Sequence, residues 1–137
     1  MLHGKDVHTA ADMVADGCWS GDLTASQLLS ADVSGAIGAV LVDGGLWLCT
    51  PTNTVGRLHS IRMTDRVVIS NSMALACAVA GARLDRRYQF YKDDLSSIKE
   101  GLDKCIRSVP LADGLSLTLH YHCNIQVGAQ LQLTEQP

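Results

Sequence analysis

The clearest pattern in the chain is an alternation of apolar and polar residues near its carboxyl end. From residue 115 to 127 every second residue is apolar and the residues between them are polar. This alternation predicts a β-strand with one apolar and one polar face. The same phase continues through Leu131 and Leu133, but strands of about 20 residues are rare. We therefore favour a hairpin near Asn124 or Gly128 with an odd-numbered loop over one very long strand.

Two pairs of apolar runs earlier in the chain are each joined by a turn sequence. Asp43-Gly44-Gly45 separates the first pair, and Thr64-Asp65 separates the second. An Asp-Gly dipeptide between two apolar runs is a strong hairpin signal, because these residues tolerate the backbone of a tight turn. The runs predict antiparallel strand pairs at 36–42 with 46–50, and at 58–63 with 66–70.

Two helices are predicted before the first strand pair. Residues 6–16 place apolar side chains at helical spacing, and Gly17 is a natural stop. Thr24 followed by Gln27 is a capping-box pattern, which opens a brief helix. Ser30-Ala31-Asp32 is expected to end that helix.

Two more helices are predicted between the second strand pair and the alternating segment. Ser70-Asn71-Ser72 is expected to cap the run 73–80, which is apolar on every side and should therefore be buried. Asp93 or Asp94 is expected to cap an amphipathic helix. The inward residues of that helix are Leu95, Ile98, Leu102, Cys105 and Ile106.

The order of these elements predicts the fold class. Strands joined by tight turns pair antiparallel, and the helices are separate from them along the chain. We predict an α+β fold in which a mostly antiparallel sheet is layered with packed helices. The chain has 137 residues, which fits a single domain spanning 1–137.

Composition and charge bear on the binding partners. Apolar residues make up 47% of the chain, charged residues 18%, and the net charge is −3. The nearest approach to a basic cluster is Arg83, Arg86 and Arg87, which is short for a nucleic-acid surface. No apolar run reaches the roughly 20 residues of a membrane span, and no secretory signal is evident. We expect a cytoplasmic protein that binds neither nucleic acid nor membrane.

The five cysteines are dispersed and form no CxxC pair. Four of them, Cys49, Cys77, Cys105 and Cys123, lie among apolar neighbours and are expected in the core. Cys18 lies in a loop-like stretch between the first two predicted helices, so it is the weak candidate for a catalytic thiol. A reactive cysteine needs a base and a lowered pKa, and no base is placed beside Cys18, so an inert loop thiol is favoured.

His120 and His122 are the weak candidates for metal ligands. On one strand they share a face about 7 Å apart, whereas Cys123 points the other way. A zinc site needs a third and usually a fourth ligand, which the sequence does not place. We therefore favour a polar strand face with two solvated histidines. The glycine-rich stretches at 34–38 and 43–45 match no phosphate loop, so no cofactor is expected.

Three stretches together resemble a known domain. They are GAVLVDGGLWLCT at 38–50, GRLH at 56–59 and DRVVISNS at 65–72, the last followed by an apolar helix. This order is similar to the later part of the N-terminal domain of asparagine-synthetase-like proteins, and the similarity covers roughly 33–119. That domain is a class II glutamine amidotransferase domain of the N-terminal-nucleophile hydrolase fold, so the resemblance implies that fold.

The resemblance carries no catalytic residue over to this chain. The family nucleophile is a cysteine directly after Met1, where this chain has Leu2. The Asn-Gly oxyanion motif has no match, and Gly21-Asp22 lies upstream of the hairpin rather than at the family's glutamine-holding position. The Ser-Gly-Gly-x-Asp-Ser loop of the associated synthetase domain is also missing from the sequence.

Three functions follow from these observations. The resemblance implies a non-catalytic scaffold that docks to an ATP-dependent, amide-forming synthetase domain or partner chain. The alternative is a small thiol- or metal-dependent enzyme that uses Cys18 or His120 and His122. A third interpretation is a self-associating domain whose strand segment 115–133 pairs at a sheet edge.

Overall fold

The structure is a computed structural model that describes residues 1–17, 19, 24–29, 35–53 and 55–136. In chain order the strands are β1 Val7–Thr9, β2 Met13–Asp16, β3 Ile37–Val42, β4 Gly45–Cys49, β5 Leu58–Arg62, β6 Val67–Ser70, β7 Ser108–Pro110, β8 Ser116–His120, β9 Asn124–Val127 and β10 Leu133–Gln136. The helices are α1 Ala25–Leu29, α2 Met73–Ala80 and α3 Tyr91–Ser96, with two short 3-10 turns at Ser97–Glu100 and Ala112–Gly114.

The chain divides into two compact units, each with its own antiparallel sheet. The flanking unit comprises Leu2–Leu58 and Tyr121–Pro137, and its sheet has the order β1-β2-β3-β4-β9-β10. The central unit comprises Met1 and His59–His120, and its sheet has the order β6-β5-β8-β7. The prediction of a mixed α and β protein with antiparallel pairing is confirmed. The N-terminal-nucleophile hydrolase fold and the single domain stay predictions.

The β3–β4 and β5–β6 hairpins form at the turn residues that the sequence predicted. Val42 pairs with Gly45, which leaves Asp43 and Gly44 as a two-residue loop. Both have positive φ, 50° and 75°, as a tight hairpin turn that follows the sheet twist requires. In the other hairpin Arg62 pairs with Val67 around the Thr64-Asp65 turn.

The alternating segment folds into strands that are separated by an odd-numbered loop. Val127 pairs with Leu133, so the β9–β10 loop spans residues 128–132. Backbone hydrogen bonds close this loop, from Gly128 N to Gln132 O and from Leu131 N to Gly128 O. The predicted hairpin near Gly128 is confirmed. The very long strand does not form, because β8 ends at His120 and β9 begins at Asn124.

Residues 6–16 form a β-hairpin instead of the predicted helix. Val7 pairs with Asp16 and Thr9 with Val14, and Val14 pairs in turn with Ala39 of β3. The apolar spacing of a helix was present, but β-branched residues are well suited to strands. Pairing with β3 supplies the backbone hydrogen bonds that a helix would have made internally, so tertiary contacts override the local pattern.

Helix α1 covers one face of the flanking sheet and begins with the predicted capping box. Thr24 N donates to Gln27 Oε1 over 2.8 Å, and Gln27 N donates to Thr24 Oγ1 over 3.3 Å. Leu28 reaches the core cluster that it forms with Ala15, Ala36, Val40 and Cys49. A Cβ at Gly38 would lie 2.7 Å from Leu28 Cδ2, so the close approach of helix and sheet requires this glycine. The predicted end of the helix at 30–32 lies outside the described residues.

Helix α2 has the predicted N-terminal cap but is not buried as a whole. Ser72 Oγ accepts from Leu75 N, and Gly81 ends the helix in the left-handed conformation. Only Ala76 and Ala80 are buried, whereas Val79 is exposed. The run contains many alanines, which favour helix formation strongly but have little apolar surface to bury. An alanine-rich run therefore predicts a helix, but it does not predict equally well that the helix is buried.

Helix α3 is shorter than predicted and begins earlier. Asp93 and Asp94 lie in its first turn, and the N-cap residue is Phe90. Beyond the 3-10 turn, Gly101 has a φ of 114° and ends the helical stretch. Leu102 and Ile106 are therefore exposed instead of inward, while Ile98 is buried as predicted.

Three aromatic residues fix the polar connection between α2 and α3. Tyr91 Oη accepts from Asp85 N over 2.8 Å and donates to Pro110 O over 2.6 Å. Tyr88 packs edge-to-face against Phe90 and Tyr91. Its hydroxyl donates to the Asp94 carboxylate, and this hydrogen bond raises the pKa of Tyr88. The central unit thus keeps an irregular segment in place without regular secondary structure.

Candidate functional site

The predicted thiol candidate, Cys18, lies outside the described residues. Of the four cysteines that the structure describes, Cys49 and Cys123 are buried and Cys77 and Cys105 are half-buried. Burial raises the pKa of Cys49 to about 12, with a further contribution from Cys123, and burial also raises the pKa of Cys77. Only the thiolate is nucleophilic, so Cys49 and Cys77 are poor nucleophiles at neutral pH.

The prediction that His120 and His122 are solvated neighbours on one strand face is wrong for His120. This side chain is 4% exposed, and its Nε2 lies 2.8 Å from Ser60 Oγ on the neighbouring strand β5. His122 is half-buried and has a φ of 51°, which interrupts the strand alternation. The two histidines belong to different units. The expected regular spacing fails because β8 ends at His120.

The Ser60–His120 pair has the distance of a nucleophile and a general base. Ser60 is only 5% exposed, however, so both members of the pair are interior groups of the central sheet. His59, the residue before Ser60, places its Nδ1 3.3 Å from Ser70 O on β6. Buried polar side chains need hydrogen-bond partners, and these contacts supply them for Ser60 Oγ, His120 Nε2 and His59 Nδ1. We interpret Ser60 and His120 as a structural cross-strand pair.

Polar contacts also hold the irregular stretch between β8 and β9 in the flanking unit. Thr50 Oγ1 accepts from Cys123 N over 2.8 Å and donates to Cys123 O over 3.0 Å. The Arg57 guanidinium donates to Tyr121 Oη, and its Cζ lies 5.6 Å from the centre of the Tyr121 ring. Thr50 and Tyr121 are buried. Thr50 satisfies the backbone groups of Cys123 where strand pairing stops, which is a structural role.

A row of apolar side chains crosses four strands of the flanking sheet. Leu41 pairs with Leu46, Leu46 with Val127, and Val127 with Leu133. Directly opposite residues on antiparallel strands point to the same face, so these four side chains form one continuous line, which we call the apolar row. Leu41 is 52% exposed and Leu46 is 37% exposed.

The same sheet face is buried at its other end. Side chains alternate along a strand, so Ile37 and Leu48 share the face of Leu41 and Leu46, and Ile125 shares the face of Val127. Ile37, Leu48 and Ile125 are all buried. Along these strands the side chains of this face pass from buried to exposed, although they remain apolar. This change leaves the apolar row as surface that no described residue covers fully.

An open cavity of about 290 Å³ lies beside the row. Its walls come from the β1–β2 turn and from β3 and β4, and they include Ala10, Ala11, Ala39, Leu41 and Leu46. The turn is fixed against the sheet because Leu41 N donates to the carbonyl oxygen of Asp12 over 2.8 Å. Asp12, which is exposed, also lines the cavity, so an acidic residue borders the concave surface beside the apolar row.

Comparisons with known proteins were made for the whole chain. No family model, no curated protein and no solved structure matches it. The resemblance to amidotransferase domains accordingly stays an expectation, and the candidate site is defined by its own geometry. Within the described residues, no helix combines the length and the apolar character needed to cross a membrane.

The apolar row was missed by the sequence analysis, although part of its signal is local. Leu41 and Leu46 flank the two-residue turn at equal distance, so a hairpin with that turn must place them opposite each other. Their alignment with Val127 depends on the pairing of β4 with β9, which joins distant parts of the chain. Exposure of the row could not be inferred from apolar residues that otherwise indicate a core.

Proposed function

We propose that this chain is a non-catalytic, amidotransferase-like scaffold domain that docks through its apolar row to an ATP-dependent, amide-forming synthetase-type partner. One observation carries the docking role, namely that Leu41 and Leu46 are exposed side by side in a continuous apolar row. The nature of the partner comes from the sequence resemblance. The row and the resemblance are independent, so they can be tested separately.

The energetics favour a docking surface over a chance exposure. Fully burying a leucine is worth about 1.5–3 kcal/mol. A partner that covers Leu41 and Leu46, which are paired across the hairpin and are 52% and 37% exposed, would recover a sizeable part of that energy. Isolated surface leucines are ordinary, but a contiguous apolar line beside a cavity is typical of binding surfaces. Interface energy concentrates in a few residues, and Leu41 and Leu46 are the most exposed members of the row.

The chemistry of the described residues is consistent with a non-catalytic role. Burial raises the pKa of Cys49 to about 12 and also raises the pKa of Cys77, so neither thiol is a ready nucleophile at neutral pH. The alternative, a small enzyme using Cys18 or using His120 and His122 with a metal, has less support. His120 Nε2 is already engaged by Ser60 Oγ inside the central sheet. A ligand at that nitrogen would have to displace a buried hydrogen bond, which is costly.

The test is affinity purification of the tagged chain from its native host, with quantification of the proteins that stay bound. The unmodified chain is compared with a Leu41→Ser/Leu46→Ser variant. The matched control is Val55→Ser, because Val55 is an 88% exposed apolar residue of the same unit outside the row. We expect a synthetase-type protein at near stoichiometric yield with the unmodified chain and with the control, and its loss with the double variant.

Reconstitution with the purified partner then tests the role. We expect the chain to increase the partner's ATP-dependent amide formation, measured as pyrophosphate release with the partner's own substrate, without any glutaminase activity of its own. Recovery of the chain alone, or equal recovery of the partner by the double variant, would contradict docking through the row. Glutamine hydrolysis by the purified chain would contradict the non-catalytic assignment.

A further inference from the structure

Two acidic residues of the flanking unit lie beside the apolar row. Asp12 lines the cavity, and Asp43 lies in the exposed turn that joins the strands of Leu41 and Leu46. We infer that the row receives an apolar segment flanked by lysine or arginine. This inference rests on the proposed function, because it specifies the partner's chemistry at that same surface.

Among the described residues of the flanking unit, no Lys or Arg lines the cavity. The Lys and Arg residues of this unit are Lys5 and Arg57. Arg57 is committed to the buried hydroxyl and ring of Tyr121. An incoming acidic segment would therefore meet two carboxylates without compensation, whereas a cationic segment would gain two favourable pairs. Like charges across an interface exclude wrong partners, so the two carboxylates act on specificity.

The backbone fixes the positions of Asp12 and Asp43 relative to the apolar row. The carbonyl oxygen of Asp12 accepts from Leu41 N, so Asp12 is anchored beside the first leucine of the row. Asp43 is held by the two-residue turn, two positions from Leu41 and three from Leu46. Both residues are exposed, so their charges reach an approaching chain before the leucines make contact.

The shape of the cavity suits a side chain more than a cofactor. Its volume of about 290 Å³ is at the lower limit of the roughly 300–1,000 Å³ of small-molecule pockets. Ala10, Ala11 and Ala39 in its walls are small, and their size leaves the open space. An apolar side chain of the partner can fill it while neighbouring lysines or arginines reach Asp12 and Asp43.

The experiment uses the full chain and three short, capped peptides of defined composition. One alternates leucine and lysine, the second alternates leucine and glutamate, and the third alternates serine and lysine. Binding is measured by fluorescence anisotropy at low and high salt. The binding site is located from shifts of the methyl NMR signals of Leu41 and Leu46. We expect only the leucine–lysine peptide to bind and to shift these methyl groups, with weaker binding at high salt.

Substitution of Asp12 and Asp43 tests whether their charges contribute to peptide binding. Asp12→Asn/Asp43→Asn is expected to weaken binding of the leucine–lysine peptide about fivefold, since each exposed pair contributes little. Asparagine also tolerates the left-handed backbone of position 43. The control Asp65→Asn/Asp103→Asn removes the same charge from exposed sites of the central unit and is expected to leave binding unchanged.

The possible failures are distinguishable. Equal binding of the leucine–glutamate peptide, or an unchanged affinity of the Asp12→Asn/Asp43→Asn variant, overturns the cationic partner but leaves docking through the row intact. Equal binding of the serine–lysine peptide shows a purely electrostatic contact and also overturns the inference. Unchanged binding by Leu41→Ser/Leu46→Ser overturns the row itself and, with it, the proposed function.

Discussion

Ser60 and His120 lie on neighbouring strands of the central sheet, with 2.8 Å between Ser60 Oγ and His120 Nε2. Both are buried, so each satisfies a polar group that solvent does not reach. We expect Ser60→Ala to destabilise the fold by about 1–3 kcal/mol, because it leaves the imidazole nitrogen buried without its partner. Urea unfolding measures the change. Ser116→Ala, on the exposed surface of β8, is the control, and an equal effect of both variants would refute the pairing.

Thr50 is expected to hold the stretch between β8 and β9 through its hydroxyl group and not through its shape. Thr50→Val keeps the volume but removes the hydrogen bonds to Cys123 N and Cys123 O. We expect a loss of about 1–3 kcal/mol in the free energy of unfolding. Thr134→Val, on exposed β10, should change it by less than about 0.5 kcal/mol. If Thr50→Val changes the free energy of unfolding as little as Thr134→Val does, the Thr50 hydroxyl group does not stabilise the fold.

Two glycines of the same hairpin should respond differently to alanine. A Cβ at Gly38 would lie 2.7 Å from both Leu28 Cδ2 and the carbonyl oxygen of Val14, whereas a Cβ at Gly45 would lie 3.4 Å from its nearest neighbour. We expect Gly38→Ala to cost about 1–3 kcal/mol through overpacking under α1, and Gly45→Ala to cost much less. Thermal unfolding of both variants gives the comparison. Similar melting temperatures would show that α1 does not approach the sheet so closely.

The stability of the fold should decrease at alkaline pH because of Cys49. Burial raises its pKa from 9.0 to about 12 in the folded state, so the unfolded thiol loses its proton first. The contribution is fully present below pH 9 and is lost as the pH rises from 9 toward 12. We expect the free energy of unfolding of the unmodified chain to fall more steeply over this range than that of Cys49→Ala. Parallel pH profiles of the two proteins would place the thiol in water.

Features that depend on a few neighbouring residues could be predicted from the sequence. The Asp43-Gly44 turn, the Thr24–Gln27 capping box and the Ser72 cap all act within four residues, and each forms as expected. The odd-numbered loop after Val127 could be predicted from the alternation alone. The apolar residues keep the same phase before and after the loop, and only an odd number of loop residues then leaves them on one face of the paired strands.

Features that depend on distant pairing could not be predicted. The segment 6–16 becomes strands because β3 is available to pair with it. His120 is buried because β5 lies beside β8, although its position in the alternation indicated solvent. The apolar row likewise needs β4 and β9 side by side. For His120 and the apolar row the predicted alternation was correct, and long-range contacts decided which face met water. For 6–16, pairing with β3 overrode the helical spacing itself.

The apolar row also has a consequence for timing during synthesis. Leu41 and Leu46 are translated before the central unit, whereas Val127 and Leu133 are translated after it. Strand β9 joins β4 only after the whole central unit has been translated, so the two halves of the row cannot meet before then. A partner that recognises the full row therefore cannot engage a nascent chain that stops before residue 124, and recognition reports that translation has passed this point.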